Sequence, residues 1–247
     1  MPTATLNGHA HHWEDVGKGE PLVLIHGAAQ SGVSLMDHAH ELSATHRVIV
    51  PDLRGMGQSA HVDQLPPSAW VDDLKALLDH LGVKRAHIHG ISLGSRVALR
   101  MAVDHPSYVQ SLLLELPIIG MQADTNAALN MNLGNMDDLP AAEQARRQAM
   151  HGDNWRQVAV NYMKIRNQQD LQDYLNVRET AKDIKVPTLI FRGDAREIVH
   201  PLAHCFELHQ KIAGSWLWIR PKTETAVMNT APQESYAIIR EFLATAR

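Results

Sequence analysis

Residues 86–106 read AHIHGISLGSRVALRMAVDHP, in which a strand-like run is followed by a glycine-flanked serine and then by a helical pattern. The segment Gly90-Ile91-Ser92-Leu93-Gly94 is a GxSxG sequence placed between a strand and a helix. This arrangement is typical of a sharp turn that lifts a serine hydroxyl above the edge of a sheet. The turn is too tight for large neighbouring side chains, so small residues flank the serine. We therefore predict that Ser92 is a nucleophile.

Strands and helices alternate on both sides of this segment. Short apolar runs bounded by turn residues predict buried strands, and longer amphipathic runs predict helices. The alternation indicates an α/β fold, a doubly wound and mostly parallel sheet that begins with an antiparallel hairpin at Asn7-Gly8. Strands are predicted over 3–6, 9–15, 21–27, 46–52, 86–90, 109–117, 186–194 and 215–221. Helices are predicted over 33–43, 67–81, 92–106, 201–213 and 232–246.

Residues 118–183 interrupt this alternation. They contain no strand-like run, and they predict helices over 139–150, 153–168 and 170–181. Ligands bind beyond the carboxyl ends of parallel strands, so an insertion that leaves from this edge can cover the site. We predict a core formed by 1–117 and 184–247 and a helical cap formed by 118–183. Apolar cap residues favour either a partly apolar pocket or packing within the cap itself: Met121, Leu129, Met131, Leu133 and Met136.

Composition excludes several classes of protein. The chain has 247 residues, of which 45% are hydrophobic, and a formal net charge of −4 with no basic stripe, so binding to nucleic acid is not expected. A single cysteine, Cys205, rules out an internal disulfide and fits a reducing compartment. We see no signal peptide and no apolar run long enough to cross a membrane, which favours a cytoplasmic location. His9, His11 and His12 lack further ligands at metal-site spacing, so we predict neither a metal nor another cofactor.

Two further segments resemble the α/β-hydrolase superfamily. His26-Gly27-Ala28-Ala29 ends a strand as the oxyanion turn of that family does, and residues 51–59, PDLRGMGQS, resemble its D-x-R-G-x-G-x-S segment. The resemblance implies that the backbone N–H groups of Ala28 and Leu93 form an oxyanion hole. It also implies that Asp52 and Arg54 brace a loop beside the site, and that His26 is a buried turn residue.

The other two triad positions of the family are altered here. In the family an acid stands three residues after the glycine that ends the strand corresponding to 186–194, and here this position is Arg196. The family's histidine stands seven residues before a proline, and here this position is Thr225. No histidine follows His209. Neither replacement can activate a serine, because a threonine hydroxyl is no more basic than the serine and an arginine stays charged. Ordinary triad hydrolysis is therefore expected to be weak or absent.

Other carboxylates could replace the missing acid. Glu115 ends the strand 109–117, and some relatives in the superfamily place their acid after that strand, so Glu115 is either a displaced acid or a plain structural carboxylate. Asp194 and Glu197 flank the usual acid position and are less favoured, because side-chain direction changes with each residue. Arg196 is instead expected to pair with Glu224 or Glu115.

Three histidines follow the strand that should precede the acid. His204 and His209 are expected on the surface of a helix. His200 is nearest to the site, but we expect its side chain to point toward the cap rather than toward the serine. A histidine that replaces the missing base is thus the weaker interpretation.

Three functions fit this set of residues. The first is a hydrolase that acts on a small ester, thioester or lactone through Ser92. The second is a non-hydrolytic enzyme, such as a lyase, isomerase or cofactor-free oxygenase, whose arginine would favour an anionic small-molecule substrate. The third is an inactive binding protein, and fold alone does not choose among them. We rank the hydrolase first because the nucleophile and the oxyanion donors are both kept.

Overall fold

The computed structural model describes residues 2–121 and 139–246 and contains an eight-stranded sheet. Its strand order is β1-β2-β4-β3-β5-β6-β7-β8. The first two strands pair antiparallel to their neighbours, and strands β3 to β8 are all parallel, as predicted. The strands are β1 Thr3–Leu6, β2 His9–Val16, β3 Glu20–Ile25, β4 His46–Pro51, β5 Ala86–Ile91, β6 Val109–Glu115, β7 Thr188–Gly193 and β8 Trp216–Arg220.

Helices cover both faces of this sheet. The helices are α1 Met36–Leu42, α2 Ala69–His80, α3 Leu93–Asp104, α4 Ala141–His151, α5 Trp155–Arg166, α6 Gln169–Tyr174, α7 Leu202–Lys211, α8 Val227–Thr230 and α9 Pro232–Thr245. Three single-turn 3₁₀ helices are found at Gly32–Leu35, Pro106–Tyr108 and Ala181–Asp183. Helices α1 and α9 pack against one face, and α2, α3 and α7 pack against the other.

The parallel strands are apolar because both of their faces are buried. In β3, Leu22 and Leu24 face the layer that contains α1 and α9, whereas Val23 and Ile25 face the opposite layer. Successive side chains of a strand point to opposite faces, so a strand covered on both sides needs an unbroken apolar run. This confirms the doubly wound fold predicted from the sequence.

Two local signals from the sequence match the structure and one does not. Asn7 and Gly8 both have positive φ, 49° and 78°, as a two-residue hairpin turn requires. The helix predicted over 170–181 is wrong in length, since α6 ends at Tyr174. The chain then turns back to the core, where the Val177 N–H donates to the Ile119 carbonyl over 3.1 Å.

The helices α4 to α6 lie between β6 and β7, where the insertion was predicted. The division into a core and a cap stays a prediction. Four of the apolar cap residues lie outside the described part of the chain: Leu129, Met131, Leu133 and Met136. Met121 is described, is partly exposed, and lines a pocket beside Ser92. Among the helices within residues 2–121 and 139–246, none has the length and hydropathy needed to cross a membrane.

Candidate active site

The turn between β5 and α3 holds Ser92 in a strained backbone conformation. Its φ is 54° and its ψ is −111°, values that non-glycine residues rarely adopt. A Cβ atom at Gly90 would lie 2.2 Å from the Gly94 carbonyl oxygen, and a Cβ at Gly94 would lie 2.2 Å from the Ile25 carbonyl oxygen. The two glycines are therefore required by close backbone contacts. This geometry is that of the nucleophile turn predicted from the GxSxG sequence.

His200 is the residue that contacts the serine hydroxyl. It lies in the loop between β7 and α7, and its Nε2 is 2.8 Å from Ser92 Oγ. The expectation that His200 points away from the serine is therefore wrong. The loop that follows β7 turns back over the carboxyl edge of the sheet, and strand periodicity does not reveal such a path. A histidine therefore stands at hydrogen-bonding distance from the predicted nucleophile, although it does not occupy the family's position.

Glu197 contacts the other side of the same imidazole. Its Oε1 forms a hydrogen bond and ion pair with His200 Nδ1. Burial would raise the pKa of the Glu197 carboxyl, but the hydrogen bond from His200 and the charges of His200 and Arg192 hold it below its ordinary value. A carboxylate at Nδ1 favours the tautomer whose proton is on Nδ1, which leaves the Nε2 lone pair free to accept the serine proton. Ser92, His200 and Glu197 thus have the connectivity of a catalytic triad.

The buried guanidinium of Arg192 holds the loop that carries this acid and base. Arg192 is the fifth residue of β7, and its Nε donates to the Gly193 carbonyl over 2.7 Å. Its Nη2 donates to the Ala195 carbonyl over 2.5 Å, and its Nη1 donates to the His200 carbonyl. One side chain therefore satisfies three carbonyls of the same loop. The loop is closed from within by side-chain-to-backbone hydrogen bonds.

Glu115 is close to the site but does not contact the base. It is buried at the end of β6, and its Oε1 accepts from the Met228 N–H over 3.0 Å. Its Oε2 is 4.0 Å from His89 Nε2. Burial raises the pKa of Glu115 to about 7. Glu197, rather than Glu115, is the carboxylate that contacts His200, and a catalytic role for Glu115 stays a prediction.

The two altered family positions lie at the edges of the site. Arg196 is exposed in the loop after β7, and no ion pair joins it to Glu224 or Glu115 among the described residues, so the expected pairing is wrong. The Thr225 carbonyl accepts from the Gly193 N–H over 3.1 Å. The next residue, Ala226, lines the cavity that contains Ser92. The helix α8, which follows Thr225, was not predicted from the sequence.

The predicted oxyanion turn lies beside Ser92. Ala28 and Leu93 line the same pocket as Ser92, which places both residues where the predicted donors are needed. His26 is buried, its Nδ1 donates to the Gly27 carbonyl over 2.8 Å, and its Nε2 accepts from the Leu53 N–H over 3.1 Å. The interpretation of His26 as a hydrogen-bonded turn residue is confirmed.

The segment 51–59 supports the same turn. The Asp52 carboxylate accepts from the backbone N–H groups of Gly32 at 2.6 Å and Gln58 at 2.8 Å. The Arg54 guanidinium pairs with Asp73, and its Nε donates to Asp73 Oδ2 over 2.8 Å. The bracing role implied by the resemblance is confirmed for both residues.

A histidine from α4 connects the inserted helices to the oxyanion turn. His151 is buried, and burial lowers its pKa to about 4, so the ring is neutral at pH 7. Its Nδ1 accepts from the Gly57 N–H over 3.0 Å, which places the ring proton on Nε2. Nε2 then donates to the carbonyl of Ala29, 3.2 Å away. Sequence reasoning missed this residue, because nothing in its local pattern marks a contact with a residue 122 positions away.

Two cavities meet at Ser92. The larger has about 950 Å³ of empty space, including its mouth, and is lined by His200, Glu115 and Asn229 among others. The smaller has about 360 Å³ and lies toward the inserted helices, with Arg96, Arg166 and Tyr162 in its wall. The Nη1 of Arg96 donates to Gln172 over 2.8 Å, whereas its buried Nε has no hydrogen-bond partner among the described residues. A ligand attached to Ser92 can therefore extend to either side.

Comparison with known proteins agrees with this geometry. A family model for the alpha/beta hydrolase fold matches residues 20–141. A putative carbamate hydrolase RutD from a Caulobacter species is 27% identical over 98% of each chain. A soluble epoxide hydrolase from a Corynebacterium species is 30% identical over 61% of this chain, which spans half of that relative's length. A solved meta-cleavage product hydrolase from Pseudomonas fluorescens aligns with a TM-score of 0.80 at 21% identity, covering 100% of this chain and 98% of that one.

The chain has the α/β-hydrolase fold, as its sequence resemblance predicted. The curated relatives named above are hydrolases. Within this fold, the described part of the chain holds Ser92 at the turn between β5 and α3. The loop after β7 supplies both His200, which contacts Ser92, and Glu197, which contacts His200.

Proposed function

We propose that the protein is a serine hydrolase of small carboxylic esters, thioesters or lactones that works with Ser92, His200 and Glu197. The observation that carries the proposal is the 2.8 Å separation between Ser92 Oγ and His200 Nε2. A base within hydrogen-bonding reach of a strained, half-buried serine is the geometry that nucleophilic catalysis needs. Relatives that include a carbamate hydrolase and an epoxide hydrolase support a hydrolytic reaction.

The reaction would run through an acyl-enzyme. His200 Nε2 takes the Ser92 proton as Oγ attacks the substrate carbonyl, and Glu197 stabilises the resulting imidazolium. The N–H groups of Ala28 and Leu93 donate to the oxyanion, and one such donor is typically worth about 3–4 kcal/mol in the transition state. The imidazolium then protonates the leaving alcohol or thiol. Water, deprotonated by His200, attacks the acyl-enzyme and releases the acid.

This arrangement explains how the family's positions could change without loss of chemistry. Thr225 and Arg196 cannot serve as base and acid, but a base needs only to reach the serine, and an acid needs only to reach the base. His200 and Glu197 meet both conditions from one loop, three residues apart. We therefore assign the acid to Glu197, and Glu115 becomes a wall residue of the larger cavity.

We further propose that small substrates with an anionic group are preferred. Arg96 is buried in the pocket beside Ser92, and its Nε has no partner among the described residues. Burial lowers the pKa of Arg96 to about 10, so the side chain remains charged at pH 7. A carboxylate on the substrate would supply the missing acceptor and compensate this charge. For Arg96→Gln, we expect a higher KM for a nitrophenyl hemisuccinate and an unchanged KM for nitrophenyl acetate.

Covalent labelling tests the core of the proposal. A fluorophosphonate should attach to Ser92 of the wild type, as located by peptide mass spectrometry, and nitrophenyl acetate should give a burst of one nitrophenol per chain. Ser92→Ala should abolish both the label and the burst. His200→Gln should slow both reactions, and its circular dichroism spectrum should match that of the wild type. If wild-type turnover is the same in Ser92→Ala, the serine is not the nucleophile and the proposal fails.

A further inference from the structure

A second cluster of chemically reactive side chains lies at the opposite edge of the sheet from Ser92. Glu20 and His46 are the first residues of β3 and β4, and they stand side by side in the pairing of these two strands. His87 is the second residue of β5, on the other side of β3. Each of the three side chains offers one ligand atom, and these atoms all lie within 4.8 Å of one another.

His87 is the most constrained member of the cluster. It is fully buried, and its Nδ1 is 2.7 Å from Ser111 Oγ. Its Nε2 has no hydrogen-bond partner among the described residues and lies 3.7 Å from Glu20 Oε2, too far for a hydrogen bond. In the tautomer that carries its proton on Nδ1 and donates it to Ser111, Nε2 presents a lone pair to the space beside the carboxylate. Buried polar atoms without a partner are rare and call for an explanation.

His46 has the same arrangement on the neighbouring strand. Its Nδ1 is 2.9 Å from Thr45 Oγ1, and that hydroxyl points to the Leu42 carbonyl at 3.4 Å. The hydroxyl proton goes to the carbonyl, so Thr45 accepts the proton on Nδ1 and leaves the His46 Nε2 lone pair free. A histidine that binds a metal usually donates its other N–H to an oxygen in this way.

The charge and accessibility of the cluster suit a cation. The three ligand atoms are one carboxylate oxygen, from Glu20, and two imidazole nitrogens, from His46 and His87. Glu20 and His46 line a surface groove, and the His87 ligand atom lies within 4.8 Å of theirs. Arg240 also lines this groove, but its guanidinium pairs with Glu41 Oε1 over 2.5 Å, which offsets its charge.

We propose that Glu20, His46 and His87 bind one divalent transition-metal ion of the Zn²⁺ type. Two imidazoles and a carboxylate are a set of ligands that Zn²⁺ prefers, with water in the fourth position. Ligand atoms about 2.0–2.2 Å from a tetrahedral zinc lie roughly 3.3–3.6 Å apart. The 3.7 Å between His87 Nε2 and Glu20 Oε2 is close to this spacing. The exposed Glu20 side chain can rotate to close the widest separation.

The ion would tie three adjacent strands together at their amino ends. It would lie at the edge remote from Ser92, so its role is to stabilise the folded chain rather than to take part in hydrolysis. Sequence reasoning missed the site because its ligands are separated by tens of residues, whereas the search for metal-binding patterns relies on short spacings. Only the pairing of β4, β3 and β5 brings them together.

The test is Zn²⁺ binding to the chelator-treated full-length protein. Isothermal titration should show one tight site, and Zn²⁺ should raise the melting temperature. Glu20→Gln and His46→Gln should each weaken that site at least tenfold and remove most of the rise in melting temperature. Both residues begin strands near the surface, so these variants should fold. Two exposed residues outside the cluster supply the matched controls, Glu179→Gln and His40→Gln, which should behave as the wild type.

Cobalt absorption gives a second measurement, because tetrahedral Co²⁺ with nitrogen ligands has characteristic visible bands. These bands should appear in the wild type and the controls and be lost in Glu20→Gln and His46→Gln. The proposal is overturned if Zn²⁺ leaves the melting temperature unchanged. It is also overturned if the cluster variants bind Zn²⁺ as tightly as the controls, since that would place the ion at other histidines.

Discussion

The turn at Ser92 and the loop 194–200 hold the two halves of the proposed triad by different means. At the turn, backbone atoms approach so closely that Gly90 and Gly94 admit no side chain, and the serine itself is strained. In the loop, Arg192 reaches three carbonyls and fixes a conformation that no short sequence pattern encodes. The first region constrains the residue types at fixed positions. The second requires only that a histidine and a carboxylate can reach their targets.

Replacement of the base should have the largest effect. For His200→Gln, we expect kcat for nitrophenyl acetate to fall roughly 10⁴–10⁶-fold, because loss of the base leaves only the oxyanion hole and substrate binding. His204→Gln is the matched control, since His204 follows in the same segment but its buried side chain makes no hydrogen bond among the described residues. Equal activity in the two variants would show that the loop does not supply the base.

Two glutamates can be compared to locate the acid. Glu197→Gln should lower kcat by roughly 10³–10⁴-fold, because the amide no longer stabilises the imidazolium. Glu115→Gln should lower kcat much less, since Glu115 lines the cavity but does not contact His200. Steady-state kinetics of the two variants on the same ester decide between them, and the reverse order of effects would restore Glu115 as the acid.

The strands and Ser92 could be predicted from the sequence, whereas the orientation of His200 and the contact of His151 could not. Apolar runs indicated the strands because both sheet faces are buried. The turn at Ser92 was recognisable because its close backbone contacts require glycine at positions 90 and 94. His200 was predicted to point the wrong way because its direction depends on a loop path that Arg192 closes, and Arg192 looks like an ordinary strand residue. The sequence did contain one signal for the acid and base: Glu197 stands three residues before His200, and both follow β7. The contact of His151 with Ala29 depends on tertiary packing and leaves no local trace.

The buried Glu115 should make folding stability depend on pH. Its folded pKa of about 7 lies above the ordinary value, so its contribution is fully present at low pH and is lost as the pH rises through 7. Relative to Glu115→Gln, the wild type should lose up to about 3 kcal/mol of unfolding free energy between pH 5 and pH 8. Urea unfolding of both proteins at several pH values measures this difference. Parallel curves for the two proteins would mean that Glu115 is not buried as described.

Arg192 should affect positioning rather than chemistry. With Arg192→Lys, the charge remains but the three carbonyls cannot all be satisfied, and we expect kcat to fall by roughly 10–10²-fold with little change in KM. Arg220→Lys, in an exposed ion pair with Glu234, is the control and should leave kcat unchanged. The pH at which the rate is half-maximal should also shift in Arg192→Lys, because Glu197 moves relative to His200. A fall in melting temperature with unchanged kcat would reduce Arg192 to a purely structural role.

Restoring the family's residues should have the smallest effect. In the double variant Arg196→Asp with Thr225→His, a second histidine would approach a serine that already has a base, so we expect less than about a threefold change in kcat. Adding His200→Gln to this variant should recover part of the lost activity. A large gain in the double variant alone would show that the loop 194–200 is a poor source of base and acid.

The place of His200 in the chain has a consequence for how the protein could be divided. Ser92, Glu197, His200 and the predicted oxyanion donors all precede α7, so the segment that contains β8, α8 and α9 supplies packing and part of the cavity wall but no proposed reacting group. If the backbone were cut after α7, one fragment would hold every reacting group and the other would act as a folding partner. Enzyme activity would then report the reassembly of two fragments, one of which contains no reacting group.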